Sequence, residues 1–483
     1  MAKQEQELYS STFAPLLRQK AAAIWSWHQI VIGLVIGGMF VIGLAFRQPV
    51  VSFTHVLMLI VLIVNFLVFH RLSVWQIIGL RMGYLLRSAT GRSNATVSPL
   101  TQNTTVALLD IPGNEDNKIT PYQIVNTPFA GAAMVWDADM GEATAMLRLS
   151  ATSAQLASND EKNMRAAAFS SALRSLRDRP DVVRVTIQSR SLRFPTEKTV
   201  DIDHDDSFVA QDLNVLETDM LNGLMQHDFM LGITVNPDHT GAGERATHEL
   251  ESVCDLLSRR VRELTDVLMA SGIRSYGIDW LNMRQLRAQI KTLTDFDAFT
   301  LLDDRKELPD SNPLATSWTE FSTYMQVGPS YARSYWIDQW PDTPVASTWL
   351  ASITAASDVQ FVFTQVLRLR TEKKAKKELD RKLNETKTMS AINARLDREA
   401  DRKTIIEQAT IETQLHENAK NGGDIQFQGF VTVISSDRES LEADCERFLS
   451  RANGLLHLDR MANQQLVRWV GALPLGLEGK HSR

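Results

Sequence analysis

The chain has 483 residues, 44% of them hydrophobic and 22% charged. It is long enough for more than one folded unit, since single cores stop growing at about 250–300 residues. A net charge of −6, from 57 acidic and 51 basic side chains, excludes a general electrostatic drive towards nucleic acid. Only two cysteines occur, Cys254 and Cys445, which excludes a disulfide framework and fits a reducing compartment.

The first elements in chain order are two apolar runs. Residues 30–46 are uncharged over 17 positions and residues 50–69 over 20, the second interrupted only by Ser52, Thr54, His55 and Asn65. As helices they would measure about 26 and 30 Å, against a hydrocarbon thickness of ~30 Å. Only Arg47, Gln48 and Pro49 separate them. So short a link forces an antiparallel pair, and Pro49 ends the first helix. The expectation is a two-helix transmembrane hairpin over residues 29–70. Trp25, Trp27, Arg47 and Arg71 would form its membrane-anchor interface, because indole rings concentrate at the membrane–water boundary. Lys3, Arg18 and Lys20 precede the hairpin, Arg71, Arg81, Arg87 and Arg92 follow it, and the turn holds Arg47 alone. The positive-inside rule then places both termini in the cytoplasm of a multi-pass cell-membrane protein, with residues 1–28 a cytoplasmic segment. Asn65 and His55 read as polar glue between helices or as interface positions.

Residues 72–87 read as an amphipathic helix, either along the inner leaflet or as the first packed element of the cytoplasmic domain. With the Gly/Ser/Thr/Asn/Pro-rich stretch after it, residues 71–123 form an interfacial helix and linker. Residues 124–330 form a first α+β region. Strands 132–136 and 143–150 flank the turn Asp137-Ala-Asp-Met-Gly141 as a hairpin. A helix over 159–177 starts at Asn159 or Asp160; strands come next at 182–188 and 229–235, then a helix at 243–271. Residues 331–476 form a second α+β region. Residues 331–340 alternate like an edge strand before Pro341, 347–357 are helical, and 360–369 are a β-branched and aromatic strand. A long charged helix covers 372–421, with Glu372/Lys376 and Glu378/Lys382 pairs, and closes at Gly422-Gly423. A strand at 427–435, a helix at 437–452 capped by Asp437, a short strand at 455–458 and a tail at 477–483 complete the chain. The fold class expected is α+β: the membrane hairpin, then mixed α/β layers of the split βαβ type with one long charged helix.

No catalytic constellation emerges. Gly476-Leu-Glu-Gly479-Lys480-His481-Ser482 misses phosphate-loop spacing, since Pro474 stands where the first glycine belongs. Asp201, Asp203, His204, Asp205 and Asp206 read as a solvated loop rather than a metal site. His248-Glu249 lacks the second histidine of a zinc-protease helix, and no G-x-S-x-G appears. The expectation is no enzyme activity, no cofactor and no metal. The densest basic stretch (Arg368, Arg370, Lys373, Lys374, Lys376, Lys377, Arg381, Lys382) offers contact with anionic lipid or nucleic acid. Glu372, Glu378 and Asp380 dilute it into a solvated helix face.

Three further stretches carry a resemblance. Ser334-Tyr-Trp-Ile-Asp-Gln-Trp-Pro341 precedes a helix around Trp349-Leu350. The charged helix leads into Gly429-Phe-Val-Thr-Val-Ile434 and an Asp437-Arg-Glu-Ser-Leu441 helix. Gln464-Gln465 and Ala472-Leu-Pro-Leu-Gly476 close the chain. With the two N-terminal runs, this order resembles a PrgI-like two-helix membrane subunit fused to the N-terminal, non-motor region of a TraC-class ATPase, as in actinobacterial conjugation loci. The resemblance implies a non-catalytic, inner-membrane structural subunit of a type IV secretion machine. It would contact the cell membrane, dock a separate ATPase or neighbouring secretion-system subunits, and form a homo-oligomer. The alternative is an EccE-like membrane subunit of type VII secretion.

Overall fold

The structure, a computed structural model, describes residues 10–11, 27–45, 59–63, 65, 68–69, 72–91, 93–96, 119–123, 132–137, 140–149, 158–177, 179–193, 225–239, 250–270, 278–295, 317–341, 345–346, 349–354, 358–371, 376–377, 379–381, 383–384, 387 and 423–477. The chain forms two compact units. One comprises residues 1–13, 91–371 and 423–483; the other comprises 14–90 and 372–422.

In chain order the elements are β1 (Ser10–Ser11), α1 (Trp27–Ala45), β2 (Val68–Phe69), β3 (Leu72–Ser73), α2 (Val74–Ala89), β4 (Asn94–Thr96), β5 (Ile119–Gln123), β6 (Ala133–Asp137) and β7 (Glu142–Leu149). Next come α3 (Asn159–Arg177), β8 (Val182–Arg193), β9 (Met225–Val235), α4 (Leu250–Ala270), β10 (Ile278–Trp280) and α5 (Met283–Thr294). The remainder is β11 (Ser317–Glu320), β12 (Met325–Val327), β13 (Ser330–Gln339), β14 (Val345–Ala346), α6 (Ala351–Thr354), β15 (Gln360–Thr371), β16 (Gly423–Ser435), α7 (Arg438–Ala452), β17 (His457–Arg460) and α8 (Gln465–Ala472).

The larger unit is built on one 13-stranded sheet, ordered β4-β11-β12-β13-β16-β15-β8-β9-β7-β6-β5, with β10 also on β7 and β17 also on β13. Its described pairings are all antiparallel. Side chains alternate across the pleat, and both faces are covered. On one face Ala143, Ala145 and Leu147 of β7 and Leu231 and Ile233 of β9 meet Leu173 and Leu176 of α3 and Val253, Leu257 and Val261 of α4. Further along that face Phe361, Phe363, Val431 and Val433 meet Leu441, Cys445 and Phe448 of α7. The opposite face carries a single core, where Leu286, Ile290 and Leu293 of α5 and Leu466, Trp469 and Val470 of α8 cover Met146, Met230, Leu192, Val362 and Ile434. Strands from the regions 124–330 and 331–476 thus share one sheet.

α5 starts at a capping box: the Gln285 amide donates to Asn282 Oδ1 at 2.8 Å, and the Asn282 amide donates to Gln285 Oε1 at 3.0 Å. Asn282→Ala should therefore lower stability by about 1 kcal/mol, read as a shifted urea midpoint at constant slope.

Several expectations are corrected. In place of a membrane hairpin with mixed α/β layers, the protein is mostly one large antiparallel sheet with helices. Among the described residues no helix is long and apolar enough to cross a membrane, which removes the transmembrane hairpin and the multi-pass cell-membrane location. Two local features bear on this. The second apolar run does not stay helical to its end, because Val68–Phe69 turn back to pair with Leu72–Ser73. α1 takes the polar His28 and Gln29 into its first turn. Residues 46–58 lie outside the described residues.

Residues 331–340 are not an edge. β13 is hydrogen-bonded to β12 and β17 on one side and to β16 on the other. Its polar residues mimic an edge pattern, yet several of them are buried and bonded to neighbouring elements. Arg333 forks onto Glu442 at 2.6 and 2.5 Å, and Ser334 Oγ shares a 2.8 Å hydrogen bond with Thr432. Of the long charged helix, only 376–377, 379–381, 383–384 and 387 are described, all helical; the rest lies outside the described residues.

Candidate docking surfaces and buried polar groups

The smaller unit carries the most exposed apolar surface. Along α2, Trp75, Ile78, Met82, Leu85 and Leu86 are 39–59% exposed. Spacings of three and four residues put them on one face of the helix. Trp75 is held in place by its indole, which donates to Asn65 Oδ1 at 2.8 Å. Asn65 is thus a local tie, with a side chain wholly buried. On α1, Val31, Leu34, Val35, Met39 and Val41 are 48–71% exposed. Monomers rarely leave contiguous apolar patches of this kind open, and Trp and Met are common at interfaces.

The larger unit carries a shallow groove of about 360 Å³ between the end of α7 and β17, lined by Leu449, Ser450, Ala452, Asn453, Leu456, His457 and Leu458. Gly454 makes the turn beneath it at φ +84°, a conformation glycine adopts without steric cost.

Two clusters of charged side chains in this unit bridge packed elements. Asp228 Oδ2 lies 3.2 Å from Arg190 Nη2, and its Oδ1 lies 3.2 Å from Arg148 Nη2. Arg190 also donates to Gln289 of α5. Burial pushes the Asp228 carboxyl up, but the two guanidinium groups outweigh burial and hold it below its ordinary value. Burial lowers the Arg190 guanidinium, opposed by Asp228. A second cluster joins α4 to the loop before β8: Arg260 meets Asp181 at 2.6 Å and Glu263 at 2.8 Å, and Arg179 meets Glu263 at 3.2 Å. These pairs tie elements together.

Burial pushes both thiols above the usual range, Cys445 on α7 and Cys254 on α4. That is the opposite of what a nucleophilic thiolate needs. Burial pushes the Tyr335 hydroxyl up to about 12, with Cys445 beside it. Among the described residues no group of three or more His, Cys, Asp or Glu gathers as metal ligands.

Of the expected anchor residues, Trp25, Arg47 and Arg71 lie outside the described residues, and Trp27 is the first residue of α1. Asp201, Asp203, His204, Asp205, Asp206, His248 and Lys480 also lie outside them. The basic stretch is divided between the units: Arg368 and Arg370 belong to β15, and Lys376, Lys377 and Arg381 to the other unit. Sequence reasoning passed over the Arg148–Asp228–Arg190 cluster. Its signal was a polar side chain at every second position of a strand otherwise suited to burial: Arg184, Thr186, Gln188 and Arg190 on β8.

No protein-family model and no curated protein matches the chain.

Proposed function

We propose that this chain is a non-catalytic structural subunit of a conjugative, type IV secretion machine, and that it docks a separate ATPase or a neighbouring subunit. The observation that carries the docking role is the apolar face of α2, where Trp75, Ile78, Met82, Leu85 and Leu86 stand in solvent on a helix long enough to present them together. The assignment to conjugation rests on the sequence resemblance. The residues that carry it fall on β13 and Pro341, on β16 and α7, and on α8 with the segment after it.

The test is to replace Ile78 and Met82 by aspartate in the full-length protein. Both side chains are exposed, so the fold should survive with an unchanged circular dichroism spectrum. Recovery of the transfer ATPase or neighbouring subunit in an affinity purification should fall at least about tenfold, the change produced by losing ~1.4 kcal/mol at an interface. Undiminished recovery of those partners by the double variant would remove α2 from the interface.

A further inference from the structure

Leaving aside β1, β4 and β14, the described elements of the larger unit occur twice in the same order. β7 passes through α3 to β8, returns as β9 between them, and passes through α4 to β10 on the outer side of β7. The resulting order is β10-β7-β9-β8. Likewise β13 passes through α6 to β15, returns as β16 between them, and passes through α7 to β17 on the outer side of β13. The resulting order is β17-β13-β16-β15. Two short strands precede each set as a meander, β5 and β6 in the first, β11 and β12 in the second. A helix comes after each set and turns onto the opposite face, α5 in the first and α8 in the second.

Register and facing repeat along with order. The ladder pair Ala145–Ile233 corresponds to Tyr335–Val431, Ser189–Phe229 to Leu367–Phe427, and Leu147–Trp280 to Ile337–Leu458. Ala145 and Ile233 face α3 and α4; Tyr335 and Val431 face α6 and α7. A one-residue slip would reverse every side chain, so agreement in facing is a stringent condition. The sets differ in their first helix, 19 residues in α3 against four in α6, and in one connection. β8 and β9 are joined by residues 194–224, whereas the chain leaves β15 at Thr371 and rejoins at its ladder partner Gly423, with residues 372–422 between.

The two sets meet through equivalent strands. β8 and β15 pair antiparallel from Ser191–Phe361 to Arg184–Arg368. Antiparallel pairing of like strands is what a twofold axis through a sheet generates, the geometry of an isologous dimer. The packing is reciprocal as well: α3 of the first set lies on β15 of the second, and α6 of the second lies on β8 of the first. The segment after α8 then crosses onto the first set. Gln188 Nε2 donates to the carbonyls of Ala472 at 3.1 Å and Leu473 at 3.2 Å, and Arg184 Nε donates to the Gly476 carbonyl at 2.7 Å. Gly476 has φ +66° and sits so close to Thr144 and Thr234 that an added Cβ would run into Thr144.

We infer that the larger unit is an internal duplication, two copies of a βββαββαβα module joined edge to edge as a homodimer would be. The β8–β15 seam is accordingly an interaction surface in its own right, and the partner it fits is the other module of the same kind. On this reading the covalent link between α5 and β11 serves to raise effective concentration. The inference is independent of the docking role of α2.

The test uses the full chain with a protease site placed within residues 296–316. After cleavage in native buffer, the two fragments should elute together at the size of the intact protein and separate only in denaturant. Separation in native buffer would overturn the inference. A second measurement needs no insertion: amide hydrogen exchange on the unmodified protein. Seam amides of residues 184–191 and 361–368 should exchange within about tenfold of the slowest amides of β9 and β16, as part of one cooperative sheet. Seam exchange hundreds of times faster than β9 and β16 would show that the modules part readily, and the inference would fail on that result alone.

Discussion

Asp228→Ala is expected to destabilise the protein by about 3–5 kcal/mol, because it strands a buried positive charge. Arg190 is wholly buried and Asp228 is its carboxylate partner. Without Asp228, Arg190 keeps the Gln289 carbonyl oxygen as an acceptor but no countercharge, and Arg148 loses its pair as well. Replacing Arg190 by methionine at the same time should restore part of the loss, since an apolar side chain of similar length tolerates the site better than an uncompensated guanidinium.

The pH dependence arises from the same pair. The Asp228 carboxyl is held below its ordinary value of 3.8, so it is ionised in the folded state at pH values where the unfolded chain has begun to bind protons. Its contribution is therefore complete above the unfolded value and is lost as pH falls through the folded value. Wild-type stability should drop below about pH 4. The same drop should be smaller in Asp228→Ala, where that carboxylate is gone.

Phe361→Ala should cost a similar ~3–5 kcal/mol, for a different reason. Phe361 lies in the middle of the sheet on β15, fully buried, with its ring 5.0 Å from that of Phe448 on α7. Truncation removes most of an aromatic side chain from water-free surroundings, and a sheet hydrogen-bonded on both sides cannot collapse into the space. Phe361→Leu keeps most of the volume and should cost less than about 1.5 kcal/mol. Urea denaturation read by fluorescence, with the slope unchanged between variants, would check both values. An alanine variant within about 0.5 kcal/mol of wild type, the bound for surface positions, would mean the core around α7 is wrongly described.

Much of the larger unit was legible where local chemistry and packing agree. The β6–β7 hairpin arises from Asp137 and Gly141: the Asp137 carboxylate accepts from the Met140 amide at 3.1 Å, and Gly141 takes φ +62°. α7 arises from its cap, since Asp437 accepts from the Ser440 amide at 2.9 Å, and hydrogen bonds from the Ser440 hydroxyl and amide hold its carboxyl down to about 2. α3 was placed correctly but its first turn is held by Ser158, whose hydroxyl oxygen accepts from the Glu161 amide at 3.2 Å, rather than by Asn159 or Asp160.

What was not legible is the face under α5 and α8. Each helix has an apolar stripe (Leu286, Ile290 and Leu293 on α5; Leu466, Trp469 and Val470 on α8), but Arg287, Gln289 and Lys291 of α5 and Gln465 and Arg468 of α8 are buried beside it. Their partners are polar and distant in sequence, as where Gln465 Oε1 accepts from the Ser334 amide at 2.8 Å. Binary patterning reads those polar positions as solvated surface. The same blindness made β13 look like an edge. At the N-terminus the error ran the other way, because apolar run length was read as a pair of spans and gave no sign of the β2–β3 turn.

The most direct measurement of the docking role is crosslinking of the unmodified, full-length protein in its own cells, with affinity purification and mass spectrometry of the products. The account predicts recovery of a transfer ATPase and other conjugation subunits, with crosslinks on residues 74–89. A monomer recovered without those partners, or with type VII secretion components in their place, would contradict it.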